Sequence, residues 1–385
     1  MRIFHITGEF PPYFIGGLST YLYEISRSLC SRGHEIDVLV IKGSDSTYRQ
    51  EWLPECDGIN VAIRNFDAEG FSKFSEGVFN VKDIEHEFNV CKSISKTPDV
   101  VHIHDWYGVL WASVIKYYYD IPTIMTAHLP LRSGFTYTGH SIPMKVKMRL
   151  EALGFRLADI ITAPSDFIAR GLVSEYNVPN KKIRIIPNGV DTQYISPHRN
   201  ENKKEQVVLS VSRMTEQKGI EYLLESVRYV TNEIQHVKFL IAGDGPILGN
   251  LKSMSNFLAI SDNVEFLGFT PRDRLLELYR LSDIFVSTSI YEPFGLVILE
   301  AMASGTPIVA FSIGGIKEIV RDSVDGFLVS PCRVDLLSKS MVKILSNPQL
   351  KLKCGNSARK RALEYGWKNV VTMLENAYKN AMERT

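Results

Sequence analysis

Six short apolar runs alternate with helical patterns through the second half of the chain, and this alternation is the strongest constraint on the fold. The runs lie at 207–212, 237–242, 264–267, 284–287, 307–310 and 327–329. A strand followed by a helix and then by another strand favours parallel pairing, because the helix carries the chain back across one face of the sheet. The pattern therefore predicts a parallel sheet that helices cover on both faces.

The first half of the chain predicts a second sheet of the same kind. Strands are expected at 2–7, 35–41, 99–104, 121–127, 159–163 and 183–186. Apolar residues recur at helical spacing from Leu18 onward and at 148–157, and Ser165 is a candidate N-cap for a further helix. Residues 44–97 are polar, aromatic and poorly periodic, so they receive no assignment.

Length and linker composition predict two domains. The 385 residues are enough for two hydrophobic cores, and a P-N-G-V-D turn followed by a charged stretch at 197–205 indicates the crossing. The prediction is an α/β protein with two doubly wound parallel-sheet, Rossmann-like domains that face a central cleft. Their expected bounds are 1–190 and 191–366, and the helix at 367–385 is expected to cross back to the first domain.

Composition limits the class of function. The net charge of +1 argues against a protein that binds nucleic acid through bulk charge. The five cysteines are odd in number and scattered without a C-x-x-C pair, so reduced thiols and a cytoplasmic location are expected. No apolar run approaches the roughly 18 residues of a membrane helix, so no transmembrane segment is predicted.

A short loop and a helix start follow the predicted strand at 284–287. The loop reads S-I-Y-E-P-F-G-L-V, and Pro293 suits a first helical turn, where its missing N–H needs no partner. Gly295 allows a bulky ligand to approach the backbone. The amides of Gly295, Leu296 and Val297 are expected to point outward and to form a seat for an anion.

Two glutamates flank this helix start. Glu292 lies in the loop, and Glu300 lies one to two turns inside the helix. At 1.5 Å rise per residue, Glu300 is about 6–7 Å along the axis from the first amides, which is about the span from a diphosphate to its ribose hydroxyls. A glutamate near a helix start can also serve only to complement the helix dipole, so both interpretations stay open on the spacing alone.

The same stretch resembles a family signature. From Glu292 the chain carries E-P-F-G-L-x-x-L-E-A-M-A-S-G-x-P-[IV]-[VI]-A without a gap. This run is similar to the signature of the GT-B retaining glycosyltransferases of family 4, which include bacterial and archaeal glycogen synthases. The resemblance implies a GT-B fold, a nucleotide-sugar donor and retention of the anomeric configuration. It also implies that Glu292 binds and aligns the sugar, and that Glu300 binds the ribose.

Two cations lie at the end of the second domain's first strand. Arg213 and Lys218 are five residues apart in S-R-M-T-E-Q-K-G, which alone is also compatible with a solvated basic loop. A unit-charge pair at about 4 Å is worth about 4 kcal/mol at an effective dielectric near 20, so such cations suit a diphosphate leaving group. The resemblance assigns them to the donor phosphates, helped by the amides after Phe294. It places Gly245, in A-G-D-G-P, beside the nucleotide base.

A glycine pair in the first domain is the next candidate. Gly16 and Gly17 end the loop G-E-F-P-P-Y-F-I-G-G just before the first helix. Their spacing differs from the dinucleotide G-x-G-x-x-G, which disfavours a nicotinamide enzyme. The pair suits backbone amides that approach a phosphate or a sugar, although a plain loop is also compatible. The resemblance implies that this loop closes over the donor and helps to hold the acceptor.

The strand at 99–104 leads into H-x-H-D-W-Y-G. Alternation places His102 and His104 on one face. An H-x-H-D metal site would require further ligands, and no H-E-x-x-H or comparable cluster follows, so no metal site is predicted. Asp105, Trp106 and Tyr107 come at the carboxyl edge of the strand, where open α/β sheets bind ligands. The resemblance places this segment near the acceptor.

A further histidine stands at the next strand edge. His128 follows the strand at 121–127 directly, and a structural role and a site role are both open on that placement. The resemblance places its main chain and ring beside the transferred sugar. Residues 130–147, rich in Gly, Pro and Ser and carrying three basic side chains, are expected to form a mobile acceptor loop.

The sequence therefore predicts a retaining hexosyltransferase that moves glucose, as the favoured hexose, from UDP- or ADP-hexose to a carbohydrate acceptor. No D-x-D motif occurs, so no metal cofactor is expected, and Glu292 is not assigned as a nucleophile. A transferase acting on a lipid-linked or small acceptor is the main alternative. A sugar-nucleotide 2-epimerase, an H-x-H-D metallohydrolase and a non-catalytic sugar-nucleotide-binding subunit are weaker alternatives.

Overall fold

The computed structural model describes residues 1–11, 13–14, 16–43, 49–50, 58–66, 96–133, 144–197 and 205–383. The chain divides into two compact units, one formed by Met1–Asn188 with Trp367–Thr385 and the other by Gly189–Gly366. The chain passes from the first unit to the second after Asn188, two residues before the predicted bound at 190. Both units are α/β with a parallel sheet, which confirms the predicted fold class.

The first unit is built on a seven-stranded parallel sheet. The described strands of this unit, seven of which form the sheet, are β1 (Arg2–Thr7), β2 (Tyr13–Phe14), β3 (Glu35–Gly43), β4 (Arg49–Gln50), β5 (Ile59–Phe66), β6 (Val100–His104), β7 (Thr123–Thr126), β8 (Ile160–Ala163) and β9 (Ile183–Ile185). The sheet order is β5-β3-β1-β6-β7-β8-β9, while β2 and β4 pair separately as antiparallel strands. The edge strand β5 lies within residues 44–97, for which no element was predicted.

Helices cover both faces of this sheet. They are α1 (Gly17–Cys30), α2 (Val109–Tyr119), α3 (Met144–Leu157) and α4 (Asp166–Tyr176). The Oγ atom of Ser165 accepts a hydrogen bond from the N–H of Ile168 at 3.3 Å, which confirms the predicted N-cap of α4. The expected acceptor loop at 130–147 lies mostly outside the described residues.

The second unit is a six-stranded parallel sheet. Its strands are β10 (Gln206–Val211), β11 (Val237–Ala242), β12 (Val264–Gly268), β13 (Ile284–Ser287), β14 (Ile308–Phe311) and β15 (Gly326–Val329). The order β12-β11-β10-β13-β14-β15 is the doubly wound arrangement, with the reversal between β10 and β13. Its helices are α5 (Ile220–Glu233), α6 (Leu248–Phe257), α7 (Arg272–Leu281), α8 (Leu296–Ala303), α9 (Ile316–Ile319), α10 (Val334–Leu345) and α11 (Pro348–Glu364).

The final helix, α12 (Trp367–Met382), belongs to the first unit. Val370, Leu374 and Tyr378 are fully buried in a cluster that also contains Leu22 of α1. The helix therefore supplies part of the first unit's core, although the whole second unit precedes it in the chain. Across the described residues, no helix combines the length and the apolarity needed to cross a membrane.

Candidate functional site

Each sheet reverses its winding at one pair of strands, and ligands of doubly wound folds bind at the carboxyl ends of such a pair. In the second unit the pair is β10 and β13, which are hydrogen-bonded neighbours. The loops that follow these two strands carry Arg213, Lys218 and Glu292. Three predicted site residues therefore lie on the two loops that flank the reversal point.

Lys218 and Glu292 form an ion pair at this point. The Nζ atom of Lys218 lies 2.7 Å from Oε2 of Glu292, and the Oγ atom of Ser289 donates to the same carboxylate oxygen at 3.3 Å. Glu292 is buried and Lys218 is half-buried. The sequence assigned these side chains to different parts of the donor. The structure joins them, so the loss of one leaves the other charge poorly compensated.

A close approach of backbones holds the two loops together. Gly219 has φ +56°, and a Cβ atom there would lie 2.4 Å from the carbonyl oxygen of Thr288. The hydroxyl of Thr288 donates to the carbonyl of Lys218 at 3.2 Å, and the N–H of Ile290 donates to the carbonyl of Gln217 at 2.9 Å. Position 219 accepts no larger residue without moving the Glu292 loop.

The loop after β14 supports Glu292 from the other side, and the sequence analysis missed it. The N–H of Gly315 donates to the carbonyl of Glu292 at 2.9 Å. A Cβ atom on Gly314, whose φ is +51°, would lie 2.1 Å from the same carbonyl oxygen. The paired glycines shortly after a strand were the available signal.

Helix α8 begins at Leu296, directly after its cap. Gly295, with φ +107°, is the N-cap, and its carbonyl accepts from the N–H groups of Ile298 and Leu299 at 3.1 Å. Pro293 therefore precedes the cap, and its placement in the first helical turn was wrong. The amides of Leu296 and Val297 open the helix, where N–H groups have no intrahelical acceptor.

The side chains beside α8 are held from the protein interior. Phe294 is buried, and its ring centroid lies 6.1 Å from that of Tyr365. Glu300 accepts a hydrogen bond from the hydroxyl of Tyr279 at 2.9 Å. Burial raises the pKa of Tyr279, and the neighbouring Glu300 carboxylate raises it further. The tyrosine therefore stays protonated and can donate. Tyr279 is a further residue that the sequence analysis did not single out.

The loops after β10 and β11 touch where Gly245 meets Met214. A Cβ atom on Gly245 would lie 2.4 Å from the carbonyl oxygen of Met214, and the N–H of Met214 donates to the carbonyl of Asp244 at 2.9 Å. The amide of Gly245 donates to the Asp244 carboxylate at 2.8 Å. Arg213 precedes this contact and has an exposed side chain.

In the first unit the winding reverses between β1 and β6. Glu9, in the loop after β1, is buried and accepts from the N–H of Gly16 at 3.1 Å and from the hydroxyl of Ser19 at 2.8 Å. A carboxylate of the protein itself therefore lies at the start of α1, where Gly17 is the first residue. The ligand-binding role predicted for Gly16 requires its amide to leave this partner.

The predicted acceptor residues lie at the carboxyl end of β6. Asp105 has φ +54°, and its carboxylate accepts from the N–H groups of His128 at 2.7 Å and of Leu129 at 3.4 Å. Burial raises the pKa of Asp105 to about 7, with a smaller contribution from the Glu9 carboxylate. The structure thus brings Asp105 and His128 together through a backbone contact.

Two aromatic rings follow Asp105. Those of Trp106 and Tyr107 stack with centroids 4.3 Å apart, and the Lys147 ammonium lies 5.5 Å from the Trp106 ring. Burial lowers the pKa of Lys147 to about 8. The pair forms a stacked aromatic platform beside a cation.

The histidines of β6 share one face, as the alternation predicted. The ring centroids of His102 and His104 are 4.2 Å apart, and Nδ1 of His104 lies 3.2 Å from Nε2 of His128. His5, which pairs with His102 across the sheet, joins them and was missed by the sequence analysis. His5, His102 and His104 bring ring nitrogens within 4.8 Å of one another, and no carboxylate belongs to this group in the described part of the chain.

We expect the first unit to lose stability with rising pH through Glu151. This α3 residue is 1% exposed, and its carboxylate accepts from the N–H of Leu131 at 3.0 Å and from the hydroxyl of Tyr176. Burial raises its pKa from 4.5 to about 8, so the folded state keeps a proton that the unfolded state releases. Stability should therefore fall as the pH rises between about 4.5 and 8.

The test compares melting temperatures of wild type and Glu151→Gln at about pH 5 and about pH 8, the ends of that window. The variant stays neutral throughout, so its melting temperature should fall less between the two pH values. Glu364 is an exposed carboxylate of the second unit, and Glu364→Gln should show the pH dependence of the wild type. Equal pH dependence in Glu151→Gln and wild type would contradict the assignment.

Comparison with known proteins identifies the family. The model described as Glycosyltransferase Family 4 matches residues 15–194, and that described as Glycosyl transferases group 1 matches residues 191–361. An uncharacterized glycosyltransferase from Methanocaldococcus jannaschii is 31% identical, over 100% of this chain and 99% of its own. The chain is a group 1 glycosyltransferase of family 4.

The names of other relatives of this glycosyltransferase indicate that those proteins act on different acceptors. The glycogen synthase of Mycobacterium tuberculosis is 25% identical over 98% of this chain and 94% of its own. The alpha-monoglucosyldiacylglycerol synthase of Streptococcus pneumoniae is 28% identical over 85% of this chain and 75% of its own.

Solved structures confirm the GT-B fold of this glycosyltransferase. Sucrose-phosphate synthase from Thermosynechococcus elongatus superposes with a TM-score of 0.81 at 19% identity, over 100% of both chains. The Anabaena protein HepE, solved in complex with UDP and glucose, superposes with a TM-score of 0.78 at 19% identity, over 99% of this chain and 100% of its own.

Proposed function

We propose that this glycosyltransferase moves a hexose, with glucose favoured, from a UDP- or ADP-hexose to a carbohydrate acceptor with retention of the anomeric configuration. The observation that carries the proposal is the ion pair of Lys218 and Glu292 at the winding reversal of the second unit. A glycogen synthase among the relatives supports a glucan acceptor, and HepE, which was solved with UDP and glucose, supports the donor class. The five cysteines are scattered without a C-x-x-C pair, which favours reduced thiols and a cytoplasmic location.

The second unit binds the donor in this proposal. Glu300, held by Tyr279, accepts from the ribose hydroxyls. Arg213 and Lys218 neutralise the diphosphate, and the amides from Gly295 to Val297 bind the same group. The Gly245 loop borders the nucleotide base.

Glu292 binds hydroxyls of the hexose and fixes the anomeric carbon against the leaving group. The bond from that carbon to the diphosphate oxygen breaks, and the acceptor oxygen forms its new bond from the same face. The acceptor proton passes to the departing phosphate, whose charge the cations hold. Glu292 lies on the loop that binds the leaving group, so it acts by orientation and not as a covalent nucleophile.

The first unit supplies the acceptor side in this proposal. The half-buried ring of Tyr107, which stacks on the buried Trp106, suits contact with a sugar ring, and Asp105 orients the His128 backbone. His128 contacts the transferred sugar, and the Gly16–Gly17 turn closes over the donor. A non-catalytic binding subunit would have no need for these residues.

A panel of nucleotide sugars tests the proposal. Purified protein is incubated with UDP-, ADP- and GDP-hexoses, each with and without glycogen, and release of the nucleoside diphosphate and the stereochemistry of the product are measured. We expect UDP- or ADP-glucose to yield an α-linked product only with acceptor present. Acceptor-independent release of a rearranged sugar would favour an epimerase instead.

A lipid-linked acceptor is the second candidate, and a groove on α3 favours it. The groove holds about 600 Å³, and its walls combine four cations with apolar side chains: Arg132, Lys145, Val146, Met148, Arg149, Leu150, Ala152, Leu153 and Arg156. Basic and apolar residues on one helix suit an anionic lipid surface. The diacylglycerol enzyme among the relatives supports the same class.

Vesicles separate the two acceptors. Transfer to diacylglycerol in phosphatidylglycerol vesicles is compared with transfer to glycogen, in wild type and in a Lys145→Gln/Arg149→Gln/Arg156→Gln variant. A lipid acceptor requires vesicle transfer in the wild type and its selective loss in the variant. Transfer to glycogen alone would reject the lipid acceptor.

We expect activity to survive thorough EDTA treatment. In the proposed reaction Arg213, Lys218 and the α8 amides take the place of a divalent cation at the diphosphate. Turnover is measured before and after chelation and dialysis, and again with Mg²⁺ or Mn²⁺ added. Complete loss that only the added ion restores would contradict metal independence.

A further inference from the structure

Three imidazole rings of the first unit form a head-to-tail chain. Nδ1 of His5 lies 3.0 Å from Nε2 of His104, and Nδ1 of His104 lies 3.2 Å from Nε2 of His128. His5 and His104 are fully buried, whereas His128 is half-buried. Nε2 of His5 is buried and has no hydrogen-bond partner among the described residues. The imidazole chain therefore ends at His5 in a buried nitrogen without a partner, and this end is called its closed end.

The rings of the chain are neutral. Burial lowers the pKa of His5, of His104 and of His128, and for His104 the neighbouring histidines lower it further. The titratable groups around the chain are His102, Tyr21, Tyr378 and Asp105. Tyr21 lies edge-on to His128 with centroids 4.8 Å apart, and Asp105 binds the His128 backbone. The Asp105 carboxylate accepts from the backbone N–H groups of His128 and Leu129, so its hydrogen bonds do not go to an imidazole ring.

Neutral rings leave only two arrangements of protons. A neutral imidazole carries one N–H, and each contact along the chain needs one donor and one acceptor. Either all three protons sit on Nδ1 or all three sit on Nε2. The second arrangement buries an unsatisfied N–H at the closed end of the chain, whereas the first leaves only a lone pair there. Buried N–H groups without acceptors are the rarer case in proteins.

We propose that His5 and His104 fix the tautomer of His128, so that His128 carries its proton on Nδ1 and presents an N–H donor to a ligand. His5 Nδ1–H donates to Nε2 of His104, and His104 Nδ1–H donates to Nε2 of His128. The ring nitrogen of His128 that takes no part in the imidazole chain, Nδ1, is then a hydrogen-bond donor. His5 and His104 are positioning residues, because they act through His128.

The consequence for the reaction rests on the proposed function. A donor at His128 binds a hydroxyl or ring oxygen of the transferred sugar, and it cannot accept the proton of the attacking hydroxyl. Proton acceptance therefore stays with the leaving phosphate. Because the tautomer is fixed before the nucleotide sugar binds, the His128 ring needs no reorganisation on binding, as expected of a preorganised site.

A metal ion is the competing explanation of the cluster. It would need nitrogens of His5, His102 and His104 that point to one centre. Both ring nitrogens of His102 are already within hydrogen-bond distance of hydroxyls, that of Tyr378 at 2.8 Å and that of Thr126 at 2.7 Å. Both nitrogens of His104 are in the imidazole chain. The contacts of the described residues thus favour a hydrogen-bonded imidazole chain over a metal site.

Long-range ¹H–¹⁵N correlation spectra of protein labelled with ¹⁵N-histidine test the tautomer directly. His128 is assigned by the loss of its signals in His128→Gln. We expect wild-type His128 to show a protonated Nδ1 and a bare Nε2 near neutral pH. A protonated Nε2 at His128, or a bound metal at one ion per chain in elemental analysis, would overturn the proposal.

Two alanine variants form a matched pair. His104→Ala opens a polar cavity in which water can reach Nε2 of His128, so the ring should shift toward the Nε2–H form that free histidine prefers. His102→Ala removes an equally buried ring from the same strand face, whose ring nitrogens contact Tyr378 and Thr126 and not His128. It should leave the His128 tautomer unchanged. If the tautomer of His128 changed in His102→Ala but not in His104→Ala, the proposed imidazole chain would be rejected.

Turnover gives a second readout. His104→Ala should lower kcat about tenfold or more, with a smaller change in donor KM, because the lost donor acts in the transition state. If no nucleotide sugar of the panel reacts, the proposed function fails while the spectra still decide the tautomer. A correct tautomer with unchanged kcat in His104→Ala would reject its role in the reaction.

Discussion

Glu292→Gln is expected to lower kcat about a hundredfold, because a misplacement of about 1 Å at a reacting centre has an effect of this size. The proposed role places Glu292 on the hexose, not on the nucleotide. Affinity for the free nucleoside diphosphate should therefore change little. The neutral amide also weakens the contact with Lys218, whose ammonium lies 2.7 Å away in the wild type.

Glu300→Gln is the matched contrast, since it makes the same chemical change eight residues along the same stretch. Ribose hydrogen bonds differ little between ground state and transition state, so this variant should mainly weaken donor and diphosphate binding. Calorimetric titration with the free diphosphate and steady-state kinetics measure both effects. If Glu292→Gln abolished diphosphate binding while Glu300→Gln left it intact, the two roles would be exchanged.

Arg213→Ala and Lys218→Ala are each expected to lower turnover about tenfold or more, because each removes charge that stabilises the leaving diphosphate. Lys218→Ala should have the larger effect. It leaves the buried Glu292 carboxylate without its cation, whereas Arg213 is exposed. Steady-state kinetics with saturating acceptor measure both variants. Normal turnover in both would remove the phosphate assignment.

Two further variants control this experiment. Arg228→Ala removes an exposed cation from α5 of the same unit and should leave turnover unchanged. The double variant Lys218→Ala/Glu292→Gln should lose less than the two single effects combined, because the residues share one contact. Simple additivity would show that the ion pair plays no part in the reaction.

Apolar runs with clear ends made the second sheet predictable. The strands β11 and β13 begin and end where the sequence placed them, and their residues are mostly buried. The edge strand β5 escaped because it is only partly buried: Val61 and Ile63 are 42% and 46% exposed. An edge strand with mixed polar residues carries no continuous apolar signal.

Contacts between distant residues limited what the sequence could predict of the site. The Glu292 loop and the Arg213–Lys218 loop were both identified, yet the ion pair joins residues 74 positions apart. His5 and His104 are 99 positions apart, and only the parallel register of β1 and β6 brings them together. Pro293 was misplaced in the first helical turn because Gly295 caps the helix, and its left-handed conformation depends on the tertiary contacts of that loop.

The position of α12 in the chain fixes an order of events on the ribosome. Synthesis delivers residues from the N-terminus at about 5–20 per second, and domains generally fold as units once their residues have emerged. The core of the first unit needs Val370, Leu374 and Tyr378, which emerge only after all of Gly189–Gly366. The unit that is begun first is therefore completed last, and its α12 face stays uncovered while the second unit folds.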